Sequence, residues 1–273
     1  MIEPPPSTNT TFNWIWIKWL YNLYEWVKAN ILKNYALEVS QGNINGVSWV
    51  NKFGRNTDVV SGGTEEIWDG SAAYVYPATA LMTSISQTAD QAAMRGATIE
   101  IQGLDANYVL TVQNATLDAS DTTTVVTLTT ALIRCFRMKV LANVVGDQDI
   151  RVHNAGETVD YAIITAGNNQ TQMAIWTVPA GKTAYMVNYW AYHNPAIGNS
   201  FTSNPIKIWA RDNENVYAPQ LKHLVGLAED GGFQHFFEPY VKFTEKTDIY
   251  ITSSPGGASA DISAGFDLYV INN

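Results

Sequence analysis

The stretch Thr171 to His193, TQMAIWTVPAGKTAYMVNYWAYH, constrains the fold of this chain more than any other. Two runs of β-branched, aromatic and aliphatic residues flank Pro179-Ala180-Gly181-Lys182. Proline presets φ and glycine accepts the positive φ of a tight turn, so the segment predicts a β-hairpin. Its second arm is apolar on both alternating faces, with Tyr185, Val187, Tyr189 and Ala191 on one and Ala184, Met186, Trp190 and Tyr192 on the other. A strand with that pattern belongs between two packed layers, and an inner strand of a β-sandwich meets the requirement.

Short strand-like runs recur on both sides of it. Glu66 to Trp68, Ala80 to Ser86, Gly96 to Gln102, Tyr108 to Gln113, Thr122 to Thr129 and Leu132 to Leu141 come before, with Asp149 to Val152 and Tyr161 to Thr165. Ile206 to Ala210, Phe233 to Phe243, Asp248 to Thr252 and Ser263 to Ile271 come after. Turn pieces such as Asp69-Gly70 and Asp118-Ala119-Ser120 separate them, and helical periodicity is nearly absent, which points to a sandwich or barrel. The expected fold class is therefore all-β, a jelly-roll-like β-sandwich region built as one large or two consecutive β-domains. The expected organisation is an arm and helix at 1–34, a linker with one or two short strands at 35–61, a first β-block at 62–143 and a second, jelly-roll-like block at 144–273.

The N-terminal region has a different character. Met1 to Thr11 carries three consecutive prolines followed by small polar residues, an extended polyproline arm with helix-capping candidates. After it, Phe12, Trp16, Trp19, Leu20, Leu23, Trp26, Val27 and Ile31 follow helical spacing, and Trp14, Ile15, Ile17, Tyr21 and Tyr24 widen the apolar face around the cylinder. Three roles compete for this amphipathic helix: burial against its own β-region, an anchor between subunits or in a partner protein, and lying in a membrane interface. Trp and Tyr dominate interface energetics, and the polar face, with Lys18, Lys28 and Glu25, lacks the basic stripe of a membrane-surface helix. Phe12, Trp14, Trp16, Trp19, Leu20, Leu23 and Trp26 are the candidate anchor residues.

Composition narrows the function classes. The formal net charge of −9 disfavours electrostatic capture of nucleic acid. Only 15% of residues are charged while 12% are aromatic, with nine tryptophans, a balance suited to a subunit that hides much of its surface in an assembly. Cys135 is the only cysteine, so no intrachain disulfide and no cysteine metal cluster is expected. No signal peptide pattern and no apolar run of about 18 residues is found, so neither secretion by that route nor a spanning helix is expected.

Catalytic motifs are equally scarce. His153, His193, His223 and His235 fall in no metal-ligand spacing, and Asp212-Asn213-Glu214-Asn215 and Asp147-Gln148-Asp149 lack the glycine and distal glutamate of a calcium loop. No nucleophile elbow, Walker loop or dinucleotide fingerprint occurs, so neither enzyme activity, metal nor cofactor is expected. Trp190, Tyr192, Trp209 and Tyr217 are candidates for a subunit interface or a stacking platform for sugar rings, against the plainer role of core filling. Arg134, Arg137 and Lys139 in LIRCFRMKV face either an acidic neighbour, an intersubunit contact, or solvent along an edge strand.

Several segments, in order, resemble a group of β-rich structural proteins of tailed bacteriophages, especially phages of aquatic bacteria. They are KFGRNTDVVSGGTEEIWDGSAAYVYP, IQGLDANY, the threonine-rich strand leading to LIRCFRM, NNQTQMAIWTVPAGKTAYM, EKTDIYIT and ISAGFDLYVI, spanning Lys52 to Ile271. The opening PPPSTNTTFNWIWIKWLYNLYEW is similar to the proline-then-aromatic-helix starts of short virion proteins. The resemblance implies a virion protein that decorates or cements the capsid or attaches at the neck or tail, and it carries over no catalytic residue. Asn194 to Asn215 departs from the group by its length and irregularity. The expected partners are other copies of the chain, with a trimer the expected homo-oligomer, and other virion proteins. The alternative is a tail-attached receptor-binding protein recognising host glycans.

Overall fold

The computed structural model describes residues 14–30, 34–70, 72–194, 203–228 and 230–273. In chain order the elements are α1 (Trp14–Asn30), α2 (Tyr35–Ser40), β1 (Val47–Val59), β2 (Glu65–Glu66), β3 (Met82–Gln87), β4 (Thr98–Leu104), β5 (Leu110–Thr116), β6 (Val126–Leu132), β7 (Arg134–Val140) and β8 (Ile150–His153). They continue with β9 (Asp160–Ile164), β10 (Ile175–Thr177), β11 (Lys182–Asn194), β12 (Asn204–Asp212), β13 (Gln220–Leu227), β14 (Gly232–Phe243), β15 (Thr247–Ser253) and β16 (Ala260–Asn272). The chain is mostly β, as the strand spacing predicts, and divides into two compact units with the boundary after Trp49.

The first unit holds both α-helices. α1 forms where the aromatic periodicity predicts it. α2 starts at Asn34, whose Oδ1 accepts a hydrogen bond from the Leu37 N–H at 3.3 Å, and the chain leaves it through Gly42 at φ 74°.

In the unit from Val50 to Asn273, four sheets are present. Their orders are β1-β16-β11-β14, then β10-β15-β12-β13 with β2 also on β15, then β6-β3-β8-β9, and β5-β4-β7. The chain thus begins in the first two sheets, leaves to build the other two with β3 to β9, and returns to close the sheets it started. This differs from two consecutive blocks meeting at residue 143, because β8 and β9 join the sheet of β3. Likewise the expected linker at 35–61 holds α2 and the thirteen-residue β1, which pairs with β16. Lys52, Gly54 and Asn56 put polar and turn-type residues on the buried side of β1, so its pattern does not read as one long strand.

The predicted hairpin is also corrected. β10 pairs with β15, whereas β11 lies between β16 and β14, so Thr177 to Lys182 carries the chain from one sheet to another. The turn chemistry itself holds: Gly181 has φ 71°, and its N–H donates to Glu245 Oε2 at 2.6 Å while the Ala180 N–H donates to the Tyr108 carbonyl at 2.9 Å. β11 is an inner strand within its sheet, with one face fully packed and the other half-covered. Against β16 an extra residue at Val187 shifts its register between Met186 and Asn188, whereas against β14 the extra residues lie in β14, between Phe236 and Val241. The bulge reverses the alternation, so Ala184, Met186, Tyr189 and Ala191 share the inner face, while Tyr185, Trp190 and Tyr192 turn outward.

Two hydrophobic clusters fill this unit. One gathers Met186, Tyr189, Ile208, Ile251, Phe266 and Leu268 from the first two sheets, and the other gathers Ile85, Ile99, Ile101, Met138, Val152 and Ile164 from the last two. Each such side chain contributes about 1.5–3 kcal/mol on burial. The seam is tied by Arg134 of β7, which donates to Asp248 of β15 through Nε at 2.8 Å and Nη2 at 2.9 Å. Thr177 Oγ1 and Asn213 Nδ2 donate to the same carboxylate, and Arg134 Nη1 donates to the Pro77 and Ile133 carbonyls. Of the three cations in that strand, Arg134 therefore meets an acidic neighbour of its own chain. Lys139 pairs with Glu100 at 2.9 Å, and Arg137 donates to the Asn51 carbonyl at 2.7 Å.

Candidate binding surfaces

The anchor residues share one helix face only in part. Trp16, Trp19 and Leu23 are half-buried, while Leu20 (46% exposed) and Trp26 (40%) present much more surface to solvent. Ile17, Tyr21 and Tyr24 are more exposed still, at 53%, 63% and 57%. Trp16 and Trp19 meet edge to face with centroids 6.0 Å apart, the orientation that aromatic quadrupoles favour. Trp14 opens the helix backbone, and Phe12 lies outside the described residues.

The four aromatic residues named for a sugar platform do not converge. Trp190 and Tyr192 stand two residues apart on the outer face of β11. Trp209 sits on β12, where it packs against the second hydrophobic cluster and donates its indole N–H to Thr252 Oγ1 at 2.9 Å. Tyr217 is exposed in the turn beyond β12.

Trp190 and Tyr192 owe their placement to glycines on the neighbouring strands. Trp190 lies across Gly265 of β16, its partner in register, and Tyr192 lies across Gly232 of β14. A β-carbon at Gly265 would come within 2.8 Å of the indole, and one at Gly232 within 2.6 Å of the phenol ring. The missing side chains let both rings lie down on the sheet.

A polar network adjoins the rings. Asn194, next on the same face of β11, donates to Asp261 Oδ1 and to Ser263 Oγ, both at 2.8 Å. Arg55 of β1 grips Asp261 from the other side, Nε to Oδ1 at 2.9 Å and Nη2 to Oδ2 at 2.5 Å. Arg55 also lines a cleft of about 310 Å³ together with Asn56, Thr57, Asp69, Thr165, Asn168 and Gln172. In that cleft Asp69 Oδ2 accepts from the Gln172 N–H at 2.7 Å. Burial pushes the Asp69 carboxyl up to about 7, with a smaller upward push from Asp149. Hydrogen bonds from Gln172 and Thr165 and the Arg55 charge oppose the rise.

A second cluster joins the edge strands β13 and β14. The His223 and His235 rings stack with centroids 4.6 Å apart, and His223 Nδ1 is hydrogen-bonded to the Tyr189 hydroxyl. Burial, then the neighbouring His235, lowers the His223 pKa. A shallow hollow of about 550 Å³ lies nearby, lined by Val187, Phe236, Phe237, Glu238, Pro239 and Tyr240.

None of Asp69, Arg55 or Asn194 stands out in the sequence, because they reach one surface from separate strands and loops. Among the described residues no group of three or more His, Cys, Asp or Glu side chains is placed to hold a metal ion, and no helix is long and apolar enough to cross a membrane. The sequence matches no protein-family model and no curated protein, and the structure matches no solved structure.

Proposed function

We propose that the chain is a non-enzymatic structural subunit of a tailed-phage virion, one that decorates or cements the capsid or attaches at the neck or tail. The observation that carries this reading is the breadth of apolar surface on α1. Ile17, Leu20, Tyr21, Tyr24 and Trp26 remain exposed beside the half-buried Trp16, Trp19 and Leu23. A helix serving only its own core needs one apolar stripe, and an aromatic surface extending past it gains free energy when a neighbour covers it.

In this reading the subunit works mechanically. It assembles as a homo-oligomer, a trimer in the expected form, by burying aromatic surface, while the β-region projects. The two sheets that share the cluster around Tyr189 and Phe266 are the faces of a jelly-roll-like sandwich, supported by the side chains both contribute to that cluster. Replacing Trp16, Trp19 and Trp26 together by alanine is expected to abolish incorporation into particles while the circular-dichroism signature of the β-region persists. Normal incorporation of the triple variant would refute the anchor role.

A further inference from the structure

We infer that the outer surface running from Trp190 and Tyr192 across Asn194 and Asp261 to the Arg55 cleft is a binding site for a neutral oligosaccharide. The proposal goes beyond the assembly role and does not depend on it.

Pyranose rings present flat C–H faces and edges of paired hydroxyls. A site for them combines an exposed aromatic plane with rigid planar groups that donate and accept hydrogen bonds at its margin. Here Tyr192 is 43% exposed and lies against the sheet over Gly232, with Trp190 beside it over Gly265. Both rings occupy the space that the absent side chains of Gly265 and Gly232 leave over the neighbouring strands.

The polar side is equally prepared. Asp261 is only 9% exposed and is held by the Arg55 fork and by Asn194, so its remaining lone pairs, the Asn194 carbonyl oxygen and the Ser263 hydroxyl have fixed positions. Arg55 passes from this network into the cleft, where Asn56, Thr57, Thr165, Asn168 and Gln172 supply neutral donors and acceptors. From β11 across β16 to β1 is two strand spacings, about 10 Å, enough for roughly two sugar units. The cleft falls in the range of small-molecule sites, about 300–1,000 Å³.

Charge selects among saccharides. Arg55, the cation shared by network and cleft, is already paired with Asp261, Asp149 accepts from the N–H of Ala166 at the cleft, and the chain carries a net charge of −9. A uronic acid or sulfated polymer would be repelled, whereas a neutral one is not.

The test is isothermal titration calorimetry of the full-length protein against neutral hexaoses (cello-, malto-, manno- and chito-oligosaccharides), with a polyuronate as the charged comparison. The expected result is saturable binding of at least one neutral hexaose and none of the polyuronate. Tyr192→Ala should weaken binding about tenfold, the equivalent of one stacking contact, while Tyr192→Phe retains it. Asn168→Ala, on the exposed rim of the cleft, should weaken binding without changing the circular-dichroism spectrum. Absence of binding to every neutral hexaose, or affinity unchanged in Tyr192→Ala, would overturn the proposal, and preferential binding of the polyuronate would overturn its charge argument. The triple tryptophan variant of α1 should bind sugar normally, so failure of the anchor role and failure of this site give different results.

Discussion

Asp248, itself fully buried, accepts two hydrogen bonds from Arg134, one from Thr177 and one from Asn213. Two charges buried this way hold the seam in one geometry, and removing either leaves the other without compensation. Asp248→Ala should cost about 3–5 kcal/mol in chemical denaturation, and the paired change Arg134→Met with Asp248→Leu should cost clearly less. Asp69 acts in the opposite direction. Its carboxyl rises from 3.8 to about 7 in the folded chain, so between those values the native state holds a proton that the unfolded chain has released. Stability therefore falls as pH rises through that window. Asp69→Asn keeps an acceptor for the Gln172 N–H and should raise stability by roughly 1–3 kcal/mol at pH 8 with little change at pH 4. Thermal melts at the two pH values check this; an equal effect at both would contradict it.

Strand existence was legible in the sequence wherever a run was buried on one face and ended by Gly, Asp or Asn. β4, with Ile99 and Ile101 inward between Thr98, Glu100 and Gln102, is such a case. β13 was not legible, since Leu221 and Leu224 are exposed along a sheet edge and give QLKHLVGL no clean alternation. β11 was legible as a strand but not its faces, because a bulge at Val187 leaves no compositional mark. Pairing was the harder matter. Pro179 to Lys182 specifies a reversal of direction, and nothing in those four residues says whether the arms share a sheet. β1 was legible only as a short strand within the linker, because Gly54 interrupts its pattern; the role of that glycine is close backbone approach, since a β-carbon there would collide with the Ala174 nitrogen and the Ile67 carbonyl. Gly54→Ala should thus lower stability by about 2 kcal/mol or more, measured by denaturant titration, whereas Gly156→Ala, open on nearly every side, should change it little.

For the whole molecule, the insertion of β3 to β9 between strands that pair with the C-terminal ones cannot be read locally, because partners such as β2 and β15 are separated by most of the chain. The candidate oligosaccharide surface was half legible. Trp190 and Tyr192 are conspicuous as aromatics, but Arg55 and Asp261 do not read as partners until the pairing of β16 with β1 brings them together, and Asp69 reaches the cleft from the segment after β2. The tryptophan helix was legible as an element, since its periodicity is local, and its partner is the question that remains for solution measurement. Light scattering on the full chain, beside a chain beginning at Val47 so that β1 stays whole, addresses it directly. An assembly role for α1 predicts a defined oligomer for the full chain and a folded monomer for the shorter one. A monomeric full chain, or the same oligomer from both, would contradict it.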